Sequence, residues 1–256
     1  MIIMPLCGQK RTMKTQNFPG IRSVALLLDP DKVNEKTLPA KIKTAVEART
    51  DYIMAGGSLT FRSIDKMIHS VRQLCSLPVV LFPGNLLQLS YDADVVLLLS
   101  LISGRNPELL IGNHVTAAPY LMKIKEKVIS VGYILIGCGS KTSVEYISQT
   151  EAIPPDKTDI VVATALAGEM LGLKMIYLEA GSGAENHVPT EMIRAVKKEI
   201  SIPLAVGGGI KSKNEISDIF EAGANLIILG NGCEDNPELL TEACRLRDTI
   251  SRQDIT

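Results

Sequence analysis

Eight short apolar runs alternating with amphipathic stretches, a length of 256 residues and a faint repeat near half that length predict an α/β fold, a single-domain TIM (β/α)8 barrel. The runs cover residues 23–28, 52–55, 79–82, 95–99, 134–136, 175–178, 204–206 and 226–229. Unbroken apolar runs this short mark strands buried on both faces, as in a parallel sheet covered by helices. The length is that of one such barrel, though an open doubly wound sheet would use the same units. The repeat favours closure. SLPVVLFPGN (76–85) aligns with SIPLAVGGGI (201–210), and YIMAGGS (52–58) with YLEAGSG (177–183), both at an offset of 125 residues. NPELL occurs at 106–110 and again at 236–240. Two fused four-unit halves leave such a trace; chance similarity among buried strands and glycine turns is the plainer alternative.

Between the runs, Ile42, Ala45 and Val46 keep helical spacing, as do Met192, Ile193, Val196 and Ile200. Ser212 and Glu215 form a capping-box pattern ahead of Ile216, Ile219 and Phe220. Asn106 before Pro107, and Asn236 before Pro237, each offer a cap followed by proline at the first helical position. Residues 1–19 read as a mobile N-terminal tail and residues 20–256 as the barrel.

Composition excludes several functions. A net charge of −1 gives no case for nucleic acid or an anionic membrane as partner. The longest strongly apolar run, 95–102, is too short to span a bilayer. The basic residues near the N-terminus follow a short apolar patch rather than precede it, unlike a signal peptide. Five cysteines at irregular spacing (7, 75, 138, 233 and 244) fit neither a disulfide framework nor a zinc site. The expected compartment is the cytoplasm.

In a barrel the chemistry sits at the carboxyl ends of the strands, and phosphate sites favour the loops after strands seven and eight. Those loops are VGGGI (206–210) and LGNG (229–232). Gly207, Gly208 and Gly209 would let backbone N–H groups approach an anion ahead of the helix opening at Ser212, or would merely make a tight turn. YLEAGSGA (177–184) places Glu179 at the end of an apolar strand, where desolvation would raise its pKa and suit it to general-base work. The alternative is a structural carboxylate bonded to nearby N–H groups. Ser182, between Gly181 and Gly183, adds a third set of phosphate donors. On the first strand LLLDPDK (26–32) ends in Asp29, a candidate ligand for a divalent cation or a turn aspartate, with Asp31 and Lys32 further out. Ser58, in AGGS (55–58), would lie beside it. So sparse a pair suits Mg2+, which keeps waters and takes further ligands from substrate phosphates. His114 in GNH could be functional; His69 and His187 read as surface groups. No GxGxxG follows the first strand, so a nicotinamide cofactor has no support.

LLLDPDK, AGGS, PVVLFPGN, YLEAGSGA, VGGGI and IILGNG together resemble the geranylgeranylglyceryl phosphate synthase family, which includes the heptaprenylglyceryl phosphate synthases. The resemblance runs from about Arg22 to Cys233, and the chain looks like the longer, N-terminally extended group. It implies a TIM-barrel prenyltransferase with Mg2+ as cofactor. Such an enzyme joins a long-chain polyprenyl diphosphate, geranylgeranyl diphosphate foremost, to the 3-hydroxyl of sn-glycerol 1-phosphate, forming an ether-lipid precursor. By position, Asp29 and Ser58 look like the Mg2+ ligands and Glu179 like the catalytic base. Tyr177, Leu178, Glu179, Ala180, Gly181, Ser182 and Gly183 look like the glycerol phosphate segment, with Gly207, Gly208, Gly209, Gly230 and Asn231 as its phosphate loops. The extended group implies a homo-oligomer, a hexamer. Some members carry Lys two residues before the strand-one Asp, where this chain has Leu27, which leaves open the cation on that side. A phosphosugar isomerase, aldolase or synthase on the same phosphate-binding barrel is the alternative reading.

Overall fold

The computed structural model describes residues 18–236 and 238–253. Eight strands form one closed parallel barrel: β1 (Ser23–Leu28), β2 (Tyr52–Gly57), β3 (Val79–Pro83), β4 (Val95–Leu101), β5 (Val128–Leu135), β6 (Met175–Glu179), β7 (Leu204–Gly207) and β8 (Leu226–Leu229). Each pairs with its neighbour in sequence, and β8 pairs with β1. The helices are α1 (Leu38–Glu47), α2 (Ile64–Leu74), α3 (Asn113–Leu121), α4 (Ser143–Ser148), α5 (Thr158–Met170), α6 (Thr190–Glu199), α7 (Lys213–Glu221), α8 (Gly232–Asp235) and α9 (Glu238–Gln253). Alternate strand residues divide two cores, as the period of two requires. Ala25, Met54, Val80, Leu97, Val131, Tyr177 and Ala205 fill the barrel, whereas Val24, Ile53, Val79, Val96, Leu178 and Val206 pack outward under the helices. Among the described residues no helix is long and apolar enough to cross a membrane.

The chain closes as expected, with three local corrections. β5 begins at Val128, six residues before the apolar run that marked it, because Ser130 and Gly132 interrupt the hydrophobic pattern without interrupting pairing to β4. Val46, spaced as a core residue of α1, is 46% exposed, so the buried stripe of that helix is narrower than its apolar one. The third of the expected eight βα units has no α-helix among the described residues. β3 and β4 are joined only through a 3-10 turn at Leu86–Gln88, since eleven residues lie between the strands, fewer than a covering helix and its two loops require.

The repeat maps onto opposite sides of the barrel. An offset of 125 carries Val79, the first residue of β3, onto Leu204, the first of β7. On β2 and β6 the same offset is two residues out of register: Tyr52 opens β2, whereas Tyr177 is the third residue of β6. A slip of two keeps both rings inside the barrel but at different heights. Tyr52 therefore stacks edge-on against Phe18 at the amino end, and Tyr177 lies among Phe82 and Tyr133. Of the expected tail, residues 1–17 lie outside the described residues, and Phe18 is buried.

Helix starts follow their capping chemistry. Ser212 Oγ accepts from the Glu215 amide and the Glu215 carboxylate accepts from the Ser212 amide, opening α7, whose Ile216, Ile219 and Phe220 are fully buried. Asn236 accepts from the amide of Glu238 ahead of α9, and Asn106 from the amide of Glu108, which opens a π-helical turn over Glu108–Gly112 with Pro107 at its cap. At the amino end of the barrel Arg247 of α9 ties the ring shut. Its guanidinium donates to the Asp51 carboxylate and to Arg49 O, and Asp51 Oδ2 also accepts from Val24 N at 2.8 Å. Arg247 is 8% exposed, so removing its charge strands Asp51 in a half-buried setting. Arg247→Met should cost about 2–3 kcal/mol in urea unfolding while leaving the distant carboxyl-end site intact; the check is equilibrium unfolding alongside ligand titration.

Candidate active site

The carboxyl ends of the strands open into a cavity of about 1170 Å³. At its floor lies Glu179, the last residue of β6 and 6% exposed. One oxygen, Oε1, accepts from Gly181 N at 2.7 Å, and the other, Oε2, accepts from the Tyr177 hydroxyl. Tyr177 reaches it because residues two apart on a strand share a face, and because Gly207 on β7 has no side chain: a Cβ there would collide with the Tyr177 hydroxyl. Burial raises the Glu179 pKa above its ordinary 4.5, and the Tyr177 and Gly181 donors pull part of that rise back. Tyr177 and Tyr133 are both pushed well above 10.0, by burial and then by the neighbouring Glu179 charge, so both hydroxyls stay protonated. With Phe82 they form an aromatic floor, ring centroids 5.3 to 6.2 Å apart.

The expected phosphate residues divide by strand geometry. Tyr177, Glu179, Ser182, Gly183, Gly208, Gly209, Gly230 and Asn231 line the cavity. Leu178 and Ala180 do not: both lie in the helix-facing core, Leu178 turned there by the alternation of β6. Gly181 and Gly207 serve Glu179 rather than the cavity wall. Gly208 has φ +80, and a Cβ on it would fall 2.5 Å from Glu179 Oε1. Gly230 is different. A Cβ there would meet nothing closer than Leu27 at 3.9 Å, so it borders open space. Asn231 Nδ2 donates to Ser182 Oγ at 3.1 Å, joining the loops after β8 and β6.

Asp29 and Ser58 both line the same cavity. Asp29 Oδ1 accepts from Asp31 N at 2.9 Å, and a Cβ on Gly57 would lie 3.3 Å from Asp29 Oδ2, which sets that oxygen beside the loop carrying Ser58. The two loops are latched: the Asp31 carboxylate accepts from the amides of Phe61 and Arg62 at 2.8 and 2.9 Å. Gln88, buried in the turn after β3, donates to Gly57 O at 2.8 Å and pins the same segment. Its signal in the sequence was a lone amide within an apolar run. Among the described residues no group of three or more His, Cys, Asp or Glu is placed to hold a metal ion. One free carboxylate oxygen and one hydroxyl fit a cation that takes the rest of its shell from water and phosphate.

A second, apolar cavity of about 150 Å³ adjoins the first, sharing Ser58, Phe82, Tyr133 and Ile147. It extends between Leu86 and Leu89, Leu98 and Leu101, and Leu109, on the side of the barrel where the third helix is missing. His114, left open by the sequence, lies in its wall with Nε2 2.8 Å from Ser100 Oγ; burial lowers its pKa, so it is neutral there. His69 is exposed, and His187 Nδ1 contacts Val188 O.

Residues 21–246 match the PcrB family. The chain belongs to that family. It is 44% identical over 231 residues to the geranylgeranylglyceryl phosphate synthase of Spirosoma linguale, covering 90% of this chain and 93% of the relative. The protein of the same name from Chitinophaga pinensis is 47% identical over 224 residues, 87% of this chain and 89% of that one. Among solved structures, the (S)-3-O-geranylgeranylglyceryl phosphate synthase of Thermoplasma acidophilum, in complex with substrate sn-glycerol-1-phosphate, superposes with a TM-score of 0.82 at 30% identity. That match covers 91% of this chain and 95% of the other.

The raised Glu179 pKa has a stability consequence in this PcrB-family barrel. A carboxyl whose folded pKa exceeds its unfolded value contributes fully below the unfolded pKa, and that contribution is lost as pH rises through the folded pKa. Gln cannot ionise. The melting temperature of Glu179→Gln relative to the parent should therefore climb as pH rises above the ordinary 4.5 in paired thermal melts. A flat difference would mean that Glu179 titrates alike in both states.

Proposed function

We propose that this chain is a prenyltransferase that joins a long-chain polyprenyl diphosphate to the 3-hydroxyl of sn-glycerol 1-phosphate. What carries the reading is one mouth with three neighbouring parts: a buried carboxyl, a polar glycine-lined cavity and an apolar cavity. The names of the relatives and the substrate bound in the Thermoplasma acidophilum protein agree with it. Backbone amides at Gly208, Gly209 and Gly230, with Ser182 and Asn231, hold the phosphate of glycerol phosphate; the glycerol 3-hydroxyl then reaches Glu179. Ionised Glu179 accepts the hydroxyl proton as oxygen attacks the allylic carbon. The carbon–oxygen bond to glycerol forms, the bond to diphosphate breaks, and diphosphate leaves with the electron pair. Tyr177 holds the carboxylate in place, and the aromatic floor keeps water from the allylic carbon. Asp29 and Ser58 would hold Mg2+, whose charge offsets that of the diphosphate. The prenyl tail enters by the apolar cavity beside Ser58, whose volume of about 150 Å³ takes only the first part of a long chain.

Incubation with labelled sn-glycerol 1-phosphate, geranylgeranyl diphosphate and Mg2+, followed by lipid extraction, should yield a labelled ether lipid; label that remains wholly water-soluble would refute the reading. Two variants should fail in complementary ways. Gly230→Asp brings a negative charge into open space beside the phosphate and should abolish sn-glycerol 1-phosphate binding in calorimetric titration, with Mg2+-dependent diphosphate binding kept. Asp29→Asn should do the reverse and lower turnover by about 10²-fold or more. Loss of the same ligand in both variants would contradict the assignment of the two ends.

A further inference from the structure

We propose that Lys32 supplies the cation of the glycerol phosphate site, a role that rests on the prenyltransferase reading and assigns one more residue to it. Lys32 follows Asp29 by three residues on the loop after β1, lines the large cavity and is exposed. Its ammonium donates to Asn231 Oδ1 at 3.0 Å. Asn231 passes the contact on, giving Nδ2 to Ser182 Oγ at 3.1 Å. Lysine, amide and hydroxyl thus form a chain from the loop after β1 to those after β8 and β6, across the mouth beside Gly208 and Gly230.

Three features make this arrangement a phosphate cradle rather than a surface contact. An ammonium has three N–H groups and Asn231 Oδ1 takes one, leaving two for an anion in the cavity that Lys32 lines. Both groups that it links are hydrogen-bond donors suited to the same anion, so a phosphate beside Asn231 and Ser182 lies within reach of the ammonium. Among the described residues three lysines line the cavity, and Lys32 is the one bonded to Asn231. The strand residue beside Gly230 is Leu27, Lys211 gives its ammonium to Glu185 O at 2.9 Å, and Lys141 stands on the loop after β5, three strands from β8. Lys32 also adjoins Asp29, so its charge lies at the boundary between the glycerol phosphate and diphosphate ends.

The test is calorimetric titration of sn-glycerol 1-phosphate, and of inorganic phosphate, into the parent, Lys32→Met, Lys32→Gln and Lys32→Arg, with steady-state kinetics on each. Loss of one charge-assisted hydrogen bond should weaken sn-glycerol 1-phosphate about ten- to a hundredfold in Lys32→Met. KM for the polyprenyl diphosphate and kcat at saturation should each change less than about threefold. Lys32→Gln can still donate to Asn231 Oδ1 but carries no charge, so it should be as weak as Lys32→Met; Lys32→Arg should bind within about fivefold of the parent. Parental affinity in Lys32→Met or Lys32→Gln would overturn the role, leaving Lys32 a latch for Asn231. A shift in KM for the diphosphate alone would overturn it too. A parent that binds no sn-glycerol 1-phosphate would instead refute the prenyltransferase reading, and that titration comes first.

Discussion

The proposed base role asks Glu179 to be buried and yet able to ionise, and these demands conflict unless each carboxyl oxygen has a donor. β6 solves this with its own residues. Tyr177, two positions earlier on the same face, covers one oxygen, and the chain turns at Gly181, φ +99, to bring a backbone N–H to the other. The solution then restricts the next strand. Gly207 must leave room for the Tyr177 hydroxyl, and Gly208 must leave room for the carboxylate. A run of glycines that reads as an anion loop is thus, in its first half, a consequence of one buried acid.

Around that acid the barrel separates polar from apolar space by where helices are absent and where loops are tied. The short β3–β4 connection leaves the apolar cavity between Leu86, Leu98 and Leu109. Gln88 and Asp31 then fix the loops after β1 and β2, so Asp29 and Ser58 share one edge of the polar cavity. A substrate with a charged head and a hydrocarbon tail would match this adjacency, with its head at Asp29 and Ser58 and its tail entering beside Ser58. Residues that touch no substrate therefore decide where substrate can lie.

Much of this was legible in the sequence, because strand ends and glycine turns have strong local signals. β1 and β8 have the expected bounds, and Asp29, Ser58, Glu179, Gly230 and Asn231 all reach one cavity. The failures came from contacts between strands. The internal Ser130 and Gly132 hid the start of β5, whose pairing to β4 supplies what the hydrophobic pattern lacks. Within 177–183, Tyr177 and Glu179 line the cavity whereas Leu178 and Ala180 lie in the helix-facing core, a division that the glycine-rich motif does not signal. The dependence of Gly207 on Tyr177 lies across a strand pair and has no signature in either segment alone.

The proposed chemistry depends on Glu179 being an acid of raised pKa that must ionise to work, and the pH dependence of kcat/KM tests it most directly. The predicted profile has an acid limb of one proton with its midpoint above the ordinary 4.5, moving higher in Tyr177→Phe, where a donor that lowers the pKa is lost. A profile flat down to about pH 4, or a limb unmoved by Tyr177→Phe, would contradict the role given to Glu179 and the arrangement built around it.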